Sequence, residues 1–138
     1  MPEKTFRLEV ITPDRVVYSN DQVASVVAPG VEGYLGVLAN RAPIVTRLDI
    51  GAVDFRRADG DWDYIAVGGG FMEVFENQVT ILADSAELVE EIDVERAERA
   101  RDRARQRLTS RTPEVDVERA QAALKRALTR LQVAGRKS

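Results

Sequence analysis

Phe6, Leu8 and Val10 alternate with Arg7 and Glu9, the period-two pattern of a strand with one buried face. Thr12-Pro13-Asp14 interrupts it, and β-branched runs follow at residues 15–18 and 23–28. Pro29-Gly30 predicts a turn, and Gly33 and Gly36 bracket Tyr34-Leu35. Pro43 opens an apolar run over 44–48, and residues 51–56 alternate again. Asp59-Gly60 predicts a hairpin turn before the run at 64–67. Gly68-Gly69-Gly70 precedes the run at 71–75, and Asn77 turns the chain into the run at 79–83. Eight to ten short strands in about 80 residues predict a β-sandwich or flattened barrel.

Near residue 92 the period changes. Asp93 suits a helix N-cap, with Glu95 favourable in the first turn. Ala97, Ala100, Ala104 and Leu108 fall on one helical stripe, and residues 109–113 break it. Val117, Ala120, Leu124, Ala127, Leu128 and Leu131 form a second stripe, which Gly135 is expected to stop. Two helices with a short link predict an antiparallel hairpin. The fold expected is therefore a β domain over residues 1–88 followed by a helical hairpin over 89–138. The first stripe is mostly alanine, and an alanine methyl buries far less apolar surface than leucine. The hairpin's grip on itself and on the β domain is expected to be weak enough for a ligand or partner to switch.

Charge divides the chain at the same point. Residues 1–92 carry 7 basic and 16 acidic side chains, a net −9, and residues 93–138 carry 13 and 7, a net +6. A basic module tethered to an acidic one can fold back on it or reach for another partner. With no Cys there are no disulfides and no thiolate chemistry. With no His the usual general base and the commonest metal ligand are missing. Met1-Pro2-Glu3-Lys4 lacks the apolar stretch of a secretory signal, and no apolar run is long enough to span a bilayer. A soluble intracellular protein, at most peripheral to a membrane, is expected.

The arginines are the most specific chemical feature. Arg96, Arg99, Arg103 and Arg107 lie on one side of the first helix, and Arg119, Arg126 and Arg130 share a face of the second beside Ala123. When the helices pair, guanidinium groups from both can converge at the edge of the seam, where they suit phosphate oxygens. A solvated charged face is the plainer reading, and a basic nucleic-acid-binding hairpin is a third. The hairpin has no aromatic residue on which bases could stack. Gly68-Gly69-Gly70 is followed by a strand pattern and by no Lys-Ser/Thr, so it reads as a turn or bulge and not a phosphate cradle. Asp59, Asp61 and Asp63 lack the glycine and distal glutamate of a calcium loop. No acid–base pair suggests catalysis.

Taken together, several segments resemble one family over almost all of residues 5–134: the epsilon subunits of bacterial F-type ATP synthases. They are Val10-Ile11-Thr12-Pro13-Asp14, Gly33-Tyr34-Leu35-Gly36-Val37-Leu38, the run from Ile65 to Val74, and Val79-Thr80-Ile81-Leu82-Ala83. Ile92-Asp93-Val94-Glu95-Arg96-Ala97 fits the family's ATP-binding signature, and Ala123-Leu124-Lys125-Arg126-Ala127 lies on the second helix with Arg130 beyond it. One stretch departs: Leu38-Ala39-Asn40-Arg41-Ala42-Pro43 stands where many members carry Leu-Pro-Gly-His-x-Pro.

The resemblance implies a ten-stranded β-sandwich followed by a helical hairpin. It implies a non-catalytic rotor-stalk subunit on the cytoplasmic face of the cell membrane, with no insertion into the membrane and no nucleic-acid partner. The sandwich would dock on the gamma subunit and the c-subunit ring. The hairpin would lie folded, or extend toward the alpha and beta subunits and inhibit ATP hydrolysis. Carried over by position, ATP would be held by Glu87, Ile92, Asp93, Arg96, Ala97, Arg103, Arg126 and Arg130. No cofactor is required, and no carboxylate cluster near the arginines suggests a magnesium site.

Overall fold

A computed structural model of the chain describes residues 4–110 and 112–136. Met1, Pro2 and Glu3, which bear on the expected absence of a leader, and residue 111 of the expected break between the helices lie outside them. The β domain has seven strands: β1 (Phe6–Ile11), β2 (Val16–Gly30), β3 (Gly33–Leu38), β4 (Ile44–Arg57), β5 (Trp62–Phe75), β6 (Gln78–Ala83) and β7 (Ala86–Leu88). A short 3-10 turn (Val89–Glu91) leads into α1 (Val94–Ser110), and α2 (Val117–Arg136) follows.

The sheet runs β1-β6-β5-β4-β2-β3, with β7 beside β5. Strand β1 pairs with β6 in parallel and with β2 antiparallel, so β1, β6, β5, β4 and β2 close into a flattened barrel. The expectation of ten strands is corrected to seven, because three strands are long and serve both layers. Strand β5 pairs with β7 through Ile65–Val67 and with β6 through Gly70–Phe75. It changes direction between them, where Gly69 (φ 92°) and Gly70 (φ 142°) take backbone angles that side chains disfavour. Strand β2 pairs with β1 in its first half and with β3 and β4 in its second, with register shifts between Val23 and Ser25 and between Val27 and Gly30. Bulges of this kind bend a strand without ending it. For the same reason Pro29-Gly30 is not a turn: β2 runs through Gly30, and the reversal lies at Val31-Glu32.

Two expected reversals are present. Residues 58–61 join β4 to β5, and Glu76-Asn77 (φ 48° and 60°) join β5 to β6. Asn40, at the family's glycine position, takes φ 62°, which asparagine tolerates better than most residues. Its backbone N–H donates to Asn77 Oδ1 at 2.9 Å, and Asn77 Nδ2 donates to the Thr5 carbonyl at 2.8 Å. Two asparagines thus hold this reversal.

The alternating residues fill the barrel. Leu8, Val10, Val26, Val53, Phe55, Ile65, Met72 and Ile81 are fully buried, and the Tyr18 ring lies 4.7 Å from that of Phe55. The hairpin sits outside this core. Helix α1 packs mainly on α2, and α2 lies across β4 and β5. The apolar contact between α2 and the sheet is small: Val133 meets Ala52 and Ala66, flanked by Tyr64, Val89 and Ile92. Within the hairpin the buried residues are Ala97 and Ala104 of α1 and Ala120, Ala127, Thr129 and Val133 of α2. The alanine seam is thus as expected, but the second stripe is corrected in two respects. Leu128 is 40% exposed, because Thr129 and Val133 take the sheet-facing positions. Gly135 does not stop the helix, which runs on to Arg136.

Candidate functional site

Strand β7, the turn after it and both helices meet at one cleft of about 470 Å³. Asp93 starts α1: its Oδ1 accepts the Arg96 backbone N–H at 3.1 Å, and its carbonyl accepts that of Ala97 at 3.0 Å. This N-cap faces Arg96 and Ala97 into the cleft, and the helical period brings Ala100 and Arg103 to the same side. Helix α2, itself capped by Asp116 Oδ1 on the Arg119 N–H at 3.0 Å, contributes Ala123, Arg126 and Arg130. Small residues on both helices leave room between the guanidiniums.

Seven of the eight residues expected at an ATP site line this cleft: Glu87, Asp93, Arg96, Ala97, Arg103, Arg126 and Arg130. Ile92 does not line it; its side chain packs against the Ala52, Ala66 and Val133 cluster. Arg130 is half-buried and its Nε donates to the Glu87 carboxylate. Among the described residues, Arg96, Arg103 and Arg126 have no carboxylate partner. Arg99 and Arg119 lie away from the cleft. The carboxylates Glu87, Glu91 and Asp93 gather where α1 begins, and Arg103 lies seven residues beyond Arg96, about 10.5 Å along the helix. The carboxylates thus gather at one end with Arg96 and Arg130 beside them, and Arg103, which has no carboxylate partner among the described residues, lies beyond them.

Glu91 was not expected there. Its Oε1 accepts the Leu88 backbone N–H at 3.0 Å, and Arg15, from the turn between β1 and β2, grips it at 2.7 Å. The Arg15 hydrogen bond, aided by the Leu88 N–H, holds the Glu91 carboxyl below the usual carboxylate range. A glutamate closing a turn on the N–H three residues back is a local signal. The pairing with Arg15, 76 residues away, has none.

Further ion pairs fasten α2 to the sheet. Lys125 Nζ lies 2.5 Å from Asp49 Oδ2, and Arg136 lies 2.5 Å from Asp54 Oδ1 and 5.1 Å from the centre of the Tyr64 ring. With Arg130 on Glu87, three cations of α2 meet three carboxylates of the β domain. Lys125 holds the Asp49 carboxyl below its ordinary range. Burial pushes that of Asp54 up and outweighs the opposing pull of Arg136.

The outer face of β4, β5 and β6 is apolar and open. Phe71 pairs across with Arg47 and Leu82, and Val45 with Glu73 in the next row. Val45 is 72% exposed, and Phe71, Phe75 and Leu82 are about half exposed. Beside them a groove of about 400 Å³ runs between Pro43, Val45, Glu73 and Phe75. At the β3 edge, Tyr34 and Leu38 also face solvent.

Family profiles match the whole of this architecture. The ATP synthase delta/epsilon chain β-sandwich domain matches residues 5–89, and the long α-helix domain of the same chain matches 90–135. The chain is 58% identical over 136 residues to the ATP synthase epsilon chain of Pelotomaculum thermopropionicum, covering 99% of this chain and all of that one. It is 53% identical to the epsilon chain of Moorella thermoacetica, covering 95% and 97%. Among solved structures it is similar to a chain of the Euglena gracilis mitochondrial ATP synthase, an OSCP/F1/c-ring assembly, with TM-score 0.80 and 27% identity over 94% of this chain and 81% of that one. A chain of the Tetrahymena thermophila central stalk and c-ring shares the fold alone, with TM-score 0.59 and 16% identity.

Proposed function

Since the chain belongs to the ATP synthase delta/epsilon family, as an epsilon chain and a non-catalytic subunit of that complex, we propose that it couples rotation of the c-subunit ring to the catalytic head and restrains ATP hydrolysis through its hairpin. The arginine cleft carries the regulatory part of this reading. Arg96, Arg103 and Arg126 have no carboxylate partner among the described residues and line a cleft with room for a nucleotide. Guanidinium forks suit the oxygens of a triphosphate, and the carboxylates near Asp93 can accept from an adenine amine or ribose hydroxyls. ATP held there bridges α1, α2 and β7 and favours the folded hairpin; without it the hairpin extends toward the alpha and beta subunits. Ligand that binds only one state shifts the balance toward it.

The open apolar face around Phe71 is the surface we assign to the gamma subunit, since a patch of that kind marks a protein interface. Tyr34 and Leu38, next to the departing stretch 39–43, we assign to the c ring. No helix among the described residues is long and apolar enough to cross a membrane, and the proposed place is peripheral, on the cytoplasmic face. The proposed ligand is ATP with no magnesium held by the protein.

Two measurements test the reading. Titration calorimetry with ATP in EDTA is expected to show one site, with Arg126→Ala weakening it by about tenfold, the worth of a charge-assisted hydrogen bond. Absence of heat and of any shift in melting temperature at millimolar ATP would reject the nucleotide site. Removing residues 93–138 from the assembled complex is expected to raise ATP hydrolysis, and an unchanged rate would reject the inhibitory arm.

A further inference from the structure

Beyond Arg103 the cleft does not end. A second cleft of about 330 Å³ adjoins it, lined by Arg103, Gln106, Arg107, Ser110 and Val115. Arg103 belongs to both. Arg107 lies four residues further along α1, about 6 Å, on the same side of the helix.

The two clefts differ in charge. The first mixes four arginines with Glu87, Glu91 and Asp93, whereas no acidic side chain among the described residues lines the second. Two acids stand near in sequence without lining it: Asp102 pairs with Arg101 at 3.0 Å, and Glu114, next to Val115, is kept charged by a hydrogen bond from Thr112. Gln106 and Ser110 add neutral donors beside Arg107. The first cleft offers acceptors for a nucleoside at its Asp93 end and cations toward Arg103. A nucleotide with its nucleoside at the Asp93 end and its phosphates toward Arg103 faces the second cleft through the residue the two clefts share.

We infer that the ATP cleft continues into a second anion subsite at Arg107, so that the hairpin takes nucleotides whose phosphate chain is longer than that of ATP. This rests on the nucleotide reading of the first cleft. The ligand class is a nucleoside tetraphosphate or longer, whose outer phosphate meets Arg103 and Arg107 together.

The test is calorimetry on the full chain in EDTA with ATP and adenosine 5′-tetraphosphate, in the native protein and in Arg107→Ala. Arg107 is exposed and alanine suits a helix, so the variant folds. The tetraphosphate is expected to bind about fivefold tighter than ATP, a partly solvated charge-assisted contact. Arg107→Ala is expected to erase that gain and leave ATP unchanged. If ATP binds but the tetraphosphate binds no tighter, or if Arg107→Ala weakens both ligands alike, the second subsite is overturned while the first stands. If neither ligand binds, both readings fall.

Discussion

Gly70 shows how one residue sets the shape of the β domain. A Cβ there would lie 2.1 Å from the Leu82 carbonyl oxygen, in backbone that cannot yield without parting β5 from β6. Gly60 also has positive φ, but a Cβ there meets nothing within 4 Å. Gly70→Ala should therefore cost about 3 kcal/mol and Gly60→Ala about 1 kcal/mol, steric clash being added to backbone strain only in the first. Urea midpoints of the two variants check this, and equal losses would show that strain alone matters. Sequence pattern locates Gly70 without revealing its role: three glycines before an apolar run read as a turn or bulge, and β5 bends there while its pairing with β4 continues on both sides.

At the scale of elements, the hairpin is held to the β domain by three ion pairs together with a small apolar contact. Val133 on Ala52 and Ala66 is a small core, whereas Lys125, Arg130 and Arg136 each meet a carboxylate. Lys125 and Asp49 are each about half exposed, so such a pair is worth less than about 1 kcal/mol and weakens as salt screens it. Amide hydrogen exchange should show α2 opening faster as KCl rises from about 50 to 500 mM, over which the screening length shrinks several-fold. Exchange in β4 and β5 should stay constant. Salt-independent exchange in α2 would assign its hold to the apolar contact instead. Strand alternation, the alanine seam and the Asp93 cap were legible in the sequence because each is local and periodic. So was most of the cleft, through helical spacing and family resemblance. The partners of Lys125 and Arg136 lie 76 and 82 residues away, and nothing local marks them. Leu128 misleads because its hydrophobicity suits the seam, while Thr129 and Val133 are the ones buried.

For the whole molecule, the division of charge becomes a division of labour: an acidic β domain receives the cations of α2 and leaves other arginines of the hairpin open to ligand or partner. Its response to pH follows from its residues. There is no histidine, so no unperturbed side chain titrates between pH about 5 and 8. Asp49 and Glu91 have depressed folded values, so their stabilisation is complete above the ordinary carboxylate range near pH 4 and is lost as pH falls through the lowered values. Asp54 is raised and has the opposite sign: it favours the fold at low pH, and that contribution is lost as pH rises through its raised value. The melting temperature is expected to be level from pH about 8 to 6 and to decline below about 4, which a calorimetric series checks; a steep step near neutrality would contradict this assignment. The three long strands have a mechanical consequence too. Because β2, β4 and β5 each thread both layers, the layers are stitched together by covalent chain and cannot slide over one another. A sideways load applied at Phe71 travels through the backbone to the helix-bearing side without slack. The joint is then the short link from Val89 to Ile92, pinned by Arg15 on Glu91 and by the packing of Val89 and Ile92, and release of that grip decides whether the hairpin swings or rides along.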